Sequence, residues 1–314
     1  MLSTIPVDAP SPAEAVWIDL LSSSAEEQAA VEAATKLRLP TKADIEEIES
    51  SSRVYLENGA LYLSTPILTG ADCLKDTPTM LGMVLTADRL VTQRFAPSRG
   101  FDSLAKSIAQ VRPPSADDVF LRVLEMIVDH TADALERASA ELEAISRAAF
   151  RVERPSRIKH QETSRDLRTG LRRLGQMSDG ISHLRDTLLG LGRIAAFVQE
   201  TGHAWQLKDA PARLNAVRGD VISLNDYQGH LAAKVQFLLD ATLGFISIQQ
   251  NDIVKTLTIV SVVGVPPVLI AGIYGMNFKL MPELGWHLGY PFALALIVAS
   301  GLLPLGWLKW RGWM

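Results

Sequence analysis

Apolar residues are spread unevenly along this chain, and the two longest uninterrupted runs stand together near its end. No charged residue occurs from Thr256 to Phe278, and Leu284 to Leu308 carries only His287 as an ionisable group. About 20 apolar residues in a helix, rising about 1.5 Å each, cross a hydrocarbon core of about 30 Å. Joined by Lys279-Leu280-Met281-Pro282-Glu283, the two runs predict a transmembrane hairpin in preference to a hairpin buried in a soluble core.

Upstream the pattern is that of soluble sequence. The short apolar run 15–20 predicts a buried strand, and 24–38 and 41–50 predict helices, the second with Thr41 as N-cap. Arg53 to Glu57, then Asn58-Gly59, then Ala60 to Leu63 predicts a hairpin, because Asn-Gly supplies the positive φ angles of a tight turn. Met80 to Leu85 and Arg89 to Phe95 predict a second strand pair. Strands with helices between them give an α/β or α+β layer up to about Pro113. From Asp117 to Phe150 the apolar spacing turns helical, and a second long helix restarts at Pro155-Ser156 and runs to Glu200, with Gly180, Gly190 and Gly192 as weak points and Thr201-Gly202-His203 as its break. A third begins after Pro211 and meets no proline between Arg213 and Lys255, so it continues into the first apolar run. About 60 residues make a rod of about 90 Å, which calls for bundling with copies of itself.

Composition changes this picture little. The mean hydropathy of +0.13 is low for a membrane protein because most of the 314 residues precede the hairpin. The first 30 residues lack a basic n-region and an apolar h-region, so the N-terminal bulk is expected in the cytoplasm. Lys309 and Arg311 after the second run place that end there too. Cys73 is the only cysteine, which excludes an intramolecular disulfide and a thiolate metal cage. A net charge of −4 with no concentrated basic stripe argues against nucleic acid. His130, His160, His183, His203 and His230 show no metal-ligand spacing, and no nucleophile elbow or phosphate loop is present, so no enzyme and no cofactor is expected.

Along the third helix, steps of three and four residues place Asp226, Asp240, Gly244, Ser247, Asn251, Val254, Thr258, Ser261 and Val265 on one face. Small polar residues in a span serve close helix packing or a pore wall. The aligned Asp240 and Asn251 favour the pore, since rings of acid and amide at its mouth hold a cation. At the far end Asn277 offers a carbonyl oxygen, Gly275 allows a tight turn and Glu283 adds negative charge. Mg²⁺ sheds its water reluctantly. Amide and backbone carbonyls accept hydrogen bonds from that water without stripping it, provided several copies surround an axis.

Tyr274-Gly275-Met276-Asn277-Phe278, Met281-Pro282-Glu283-Leu284, Gly289-Tyr290-Pro291 and the basic, Trp-containing end Lys309 to Trp313 resemble the CorA family of magnesium transporters, most closely over 236–314. The resemblance implies a homopentameric funnel: an α/β cytosolic domain (1–115), a long-helix region (116–210), a stalk helix (211–254), a pore-lining span (255–278), a periplasmic loop (279–283), a second span (284–308) and a cytoplasmic tail (309–314). It implies a selectivity ring of Gly275, Met276 and Asn277, pore rings at Asn251 and Asp240, and a hydrophobic gate at Val254 and Leu257. It also implies regulation by cytosolic Mg²⁺ bound between subunits. The regulatory stalk acid falls near Ala216, which is not acidic; Asp220, one turn on, is the candidate replacement. Lys279 nearly cancels Glu283 at the outer mouth, and Pro266-Pro267 would kink the span. The expected activity is Mg²⁺ uptake across a bacterial inner membrane, with Co²⁺ and Ni²⁺ as further cargo. It would be driven by a potential worth about 4.6 kcal/mol per 100 mV for a divalent ion. The alternatives are a ZntB-type zinc transporter and a membrane-tethered cytosolic scaffold or sensor.

Overall fold

The computed structural model describes residues 2–5, 11–47, 49, 53–69, 77–109, 115–150, 160–201, 207–277 and 281–313, with backbone only at 160–168 and 284. Cys73, Trp205, Phe278, Lys279, the restart at Pro155-Ser156 and the expected break at Gly202-His203 lie outside these residues. Two compact units are present, Met1–Leu239 and Asp240–Met314.

In the first unit, strands β1 (Leu2–Ile5), β2 (Trp17–Leu21), β3 (Val54–Glu57), β4 (Ala60–Leu68), β5 (Pro78–Leu85) and β6 (Leu90–Arg94) form one sheet in the order β1-β2-β6-β5-β4-β3. Only the β2–β6 pair is parallel. The Asn58-Gly59 turn takes φ 51° and 81°, and Val54 pairs with Leu63. Alternate side chains serve opposite faces. Ile18, Tyr62 and Val91 pack under helix α1 (Ala25–Thr35), which Ser24 and Glu27 close with a capping box. Helix α2 (Lys42–Glu46) is capped by Thr41 and Asp44 and is shorter than the sequence predicts, because the chain leaves helical geometry at Glu47. Trp17, Leu63, Met83 and Leu90 pack on the other face, against helices α3 (Arg99–Ala109), α4 (Ala116–Ala149) and α5 (His160–Glu200).

That helical face covers a buried polar chain. Trp17 Nε1 donates to Thr92 Oγ1 (3.0 Å), which donates to Asp19 Oδ1 (2.7 Å). Arg94 meets the same carboxylate through Nε (2.9 Å) and Nη2 (2.8 Å), and reaches Asp102 of α3 at 3.3 Å.

Gly190 is a point of contact, not a weak point. A methyl there would fall on the Oγ1 of Thr65, itself fully buried in β4, so α5 sits against the sheet only because residue 190 has no side chain. Alanine gains up to about 1 kcal/mol in helix propensity, while overpacking a rigid core costs about 1–3 kcal/mol, so the clash wins. Denaturant titration should find Gly190→Ala less stable than wild type, while Gly175→Ala, with open space around it, is more stable. Stabilisation by both would contradict the packing.

Helix α6 (Ala210–Tyr274) leaves its first turns clamped to α4: Arg213 donates to both Glu125 oxygens (2.8 and 2.7 Å) and to Asp118 (2.8 Å). Glu125 is the main reason its guanidinium is held above its ordinary value. Gln228 Nε2 donates to the Ile181 carbonyl of α5 (3.3 Å).

The second unit holds the rest of α6 and helix α7 (Gly289–Trp310), both long and apolar enough to cross a membrane and almost unburied within the chain. Helix α6 continues through Pro266 and Pro267. Pro267 lacks the N–H that would bond the Val263 carbonyl. Gly301 of α7 packs at this place: a methyl on it would lie 3.5 Å from Pro267 and 3.8 Å from the Val263 oxygen.

Candidate ion pathway

On α6 the buried residues Leu214, Val217, Val221, Gln228, Leu231, Val235 and Leu238 recur at helical spacing, so one side of the helix serves the chain's own core. Asp226 and Asp240 stand two residues from members of that row, about 200° around the helix. Both are exposed. Gly244, Ser247, Asn251, Val254, Thr258, Ser261 and Val265 continue their row and are exposed except Thr258, which is half-buried. Thr258 Oγ1 donates to the Val254 carbonyl (2.8 Å), so its hydroxyl is satisfied inside an uncharged helix. Val254 and Leu257 are 60% and 65% exposed.

Helix α6 ends at Tyr274. Gly275 N donates to the Ala271 carbonyl (3.0 Å) and Met276 N to Ile273 (3.2 Å), closing the last turn. A Cβ at 275 would come within 3.2 Å of the Ala271 oxygen, a contact the turn admits only by giving a few tenths of an ångström. Asn277, exposed, follows directly. Glu283 lies half-buried in a short 3-10 turn, Pro282–Gly285. Its carbonyl accepts from Trp286 N (3.2 Å) and rests against Gly289, where any side chain would collide with it. That contact, invisible in sequence pattern, holds the turn on the first residue of α7. The non-helical stretch is accordingly longer than the link between the two uncharged runs.

One chain does not gather these groups. Asp240, Asn251 and Asn277 are strung along the helix and its end, the first two about 16 Å apart by helical rise. Among the described residues no three His, Cys, Asp or Glu side chains converge to hold a metal.

Asp220 is exposed on α6, and its charge is felt by Asp129 of α4. Burial first, then repulsion from Asp133, Glu125 and Asp220, pushes the Asp129 carboxyl above its ordinary value of 3.8. The folded chain therefore holds this proton more tightly than the unfolded chain. Its contribution to stability is present below the ordinary pKa and is lost as pH rises through the folded one. Asp129 is exposed, so solvent screens most of this, and Asp129→Asn should melt only slightly above wild type at pH 7, with the difference gone near pH 3.5. A variant less stable at pH 7 would contradict this.

Residues 12–309 match the family model for the CorA-like Mg2+ transporter protein. The magnesium transport protein CorA of Pasteurella multocida is 30% identical over 306 residues, covering 96% of this chain and 92% of that protein. The protein of the same name from Escherichia coli K12 is 31% identical over 306 residues, with the same coverage. Among solved structures, the complete CorA magnesium transporter of Methanocaldococcus jannaschii superposes with a TM-score of 0.74 at 19% identity, covering 95% of this chain and 91% of that one. Full-length CmaX does so at 0.64 and 19%, covering 95% and 88%. Sequence and fold agree over nearly the whole length: this chain belongs to the CorA-like Mg²⁺ transporter family, whose members are ion transporters and not enzymes.

Proposed function

We propose that the chain forms a homopentamer in a bacterial inner membrane, with both termini cytoplasmic, and admits Mg²⁺ down the membrane potential. Co²⁺ and Ni²⁺ are further cargo. The observation that carries this reading is the exposed row of α6. It bears Asp240 and Asn251, becomes small and uncharged, and ends at Gly275-Met276-Asn277. Placed around an axis, copies of this row make acid and amide rings, with Val254 and Leu257 as a dry constriction and the Asn277 amides as the site that accepts hydrogen bonds from the hydrated ion. Glu283 adds a charge at the outer mouth that Lys279 nearly cancels. Ile222, Phe237, Leu243 and Ile248, large and exposed on the stretch before the span, supply apolar surface for neighbouring copies. Asp220, close enough to act on Asp129, is the candidate for regulation by cytosolic Mg²⁺, with further ligands from an adjacent subunit.

The test is influx into proteoliposomes containing a Mg²⁺ indicator under an inside-negative potential. Uptake that rises with the potential is expected. A Zn²⁺ signal without a Mg²⁺ signal would assign the chain to zinc transport, and silence for both would leave a tethered cytosolic domain.

A further inference from the structure

In the first unit, a cleft of about 640 Å³ opens beside the end of the sheet, between α2, the last residues of β4 with the first of β5, and α5. Its volume is that of a small-molecule site, and it lies far along the chain from the ion pathway. We propose that it binds a nucleoside polyphosphate. Three side chains supply the phosphate chemistry: Arg53, Arg193 and His183, all half-buried. Arg53 Nε donates to the Glu47 carbonyl (2.8 Å), which fixes the guanidinium plane and leaves its two terminal nitrogens to grip an oxyanion. Arg193 has no ion-pair or hydrogen-bond partner among the described residues. A phosphate is an acceptor that its fork fits.

The length of the cleft selects against a lone phosphate. His183 and Arg193 stand ten residues apart on α5, about 15 Å by helical rise, which is the reach of an extended nucleotide. Between them Asp186 offers a carboxylate for ribose hydroxyls, the role such an acid plays in nucleotide sites. Met80 supplies apolar surface for a flat base, and the ring of Phe95 adds to it once the Lys42 ammonium that sits over it moves aside. The remaining charges cancel: Lys42 pairs with Glu46 at 3.5 Å and holds its ammonium 5.5 Å from the Phe95 ring.

Titration calorimetry of ATP and of inorganic triphosphate into the full-length protein in detergent, without Mg²⁺, tests this. ATP should bind more tightly than triphosphate. Arg193→Ala should weaken ATP at least about tenfold, the loss of one charge-assisted pair, and Arg193→Glu should abolish binding while the melting temperature stays at the wild-type value. Arg53→Lys, which keeps charge and bulk but not the fork, should also weaken it. No heat from folded wild type at millimolar ATP, or equal binding by both Arg193 variants, overturns the site. Equal affinity for triphosphate and ATP overturns the nucleoside assignment. The readout involves no ion flux, so its failure leaves the transport reading untouched.

Discussion

Replacing Asn277 with alanine should reduce Mg²⁺ influx at least about 100-fold while leaving the protein folded. A hydrogen bond with a charged partner is worth about 1.5–3 kcal/mol, and about 1.4 kcal/mol is a factor of ten. In a ring, one substitution removes an amide from every subunit. The loss of only two bonds to the ion's water shell then suffices for the predicted drop. Folding should not suffer, because Asn277 is exposed and lies beyond the last turn of α6. Gly275 is different: a side chain there would crowd the Ala271 carbonyl and shift the turn by a few tenths of an ångström. The check is indicator fluorescence in proteoliposomes under a fixed inside-negative potential, with size-exclusion profiles matched. Wild-type influx through Asn277→Ala would remove the amide ring from the account.

The largest effect on stability should come from Arg94→Ala. Arg94 and Asp19 are almost fully buried, and alanine would leave Asp19 with only the Thr92 hydroxyl. Removing one partner of a buried pair costs about 3–5 kcal/mol, because the survivor cannot be rehydrated. The substitution also strips the Phe101 ring of the guanidinium stacked 5.1 Å above it and cuts the tie to Asp102, so α3 loosens on the sheet. Thermal unfolding of the full-length protein should show the drop. The double replacement Asp19→Leu with Arg94→Met should recover much of it, since an apolar pair of similar volume carries no desolvation cost. Arg94→Ala melting within a degree of wild type would mean that the network contributes no net stability.

Features that depend on local chemistry were legible in the sequence. Asn58-Gly59 fixes its hairpin through backbone conformations open to those two residues, and Thr41 announces its helix by capping it. The apolar runs of α6 and α7 declare themselves by length alone. The row bearing Asp240 and Asn251 was readable because helical periodicity converts spacing into a face. What stayed hidden depends on contacts distant in sequence. Gly190 reads as a helix weakness until Thr65 is placed beneath it, and Gly289 as a span residue until the Glu283 carbonyl arrives. The edge strand β1 is too short to show a period. Helix α3 did carry a signal in Phe101, Leu104, Ala105 and Ile108, a helical stripe masked by its Ser, Arg and Lys neighbours. Asp19 and Arg94 lie on two strands far apart in the chain, and only the parallel register of β2 and β6 makes them partners.

The central claim is that one face of α6 lines the ion path. Single cysteines at Asn251, Val254 and Ser261 on that face, and at Val263 and Ile270 on the others, can be placed in a Cys73→Ser background. A small cationic thiosulfonate is then applied during Mg²⁺ influx into proteoliposomes. The account predicts block at the first three positions, relieved by reductant, and unchanged flux at the other two. Block at Val263 or Ile270 with none at Asn251 and Val254 would put the path elsewhere.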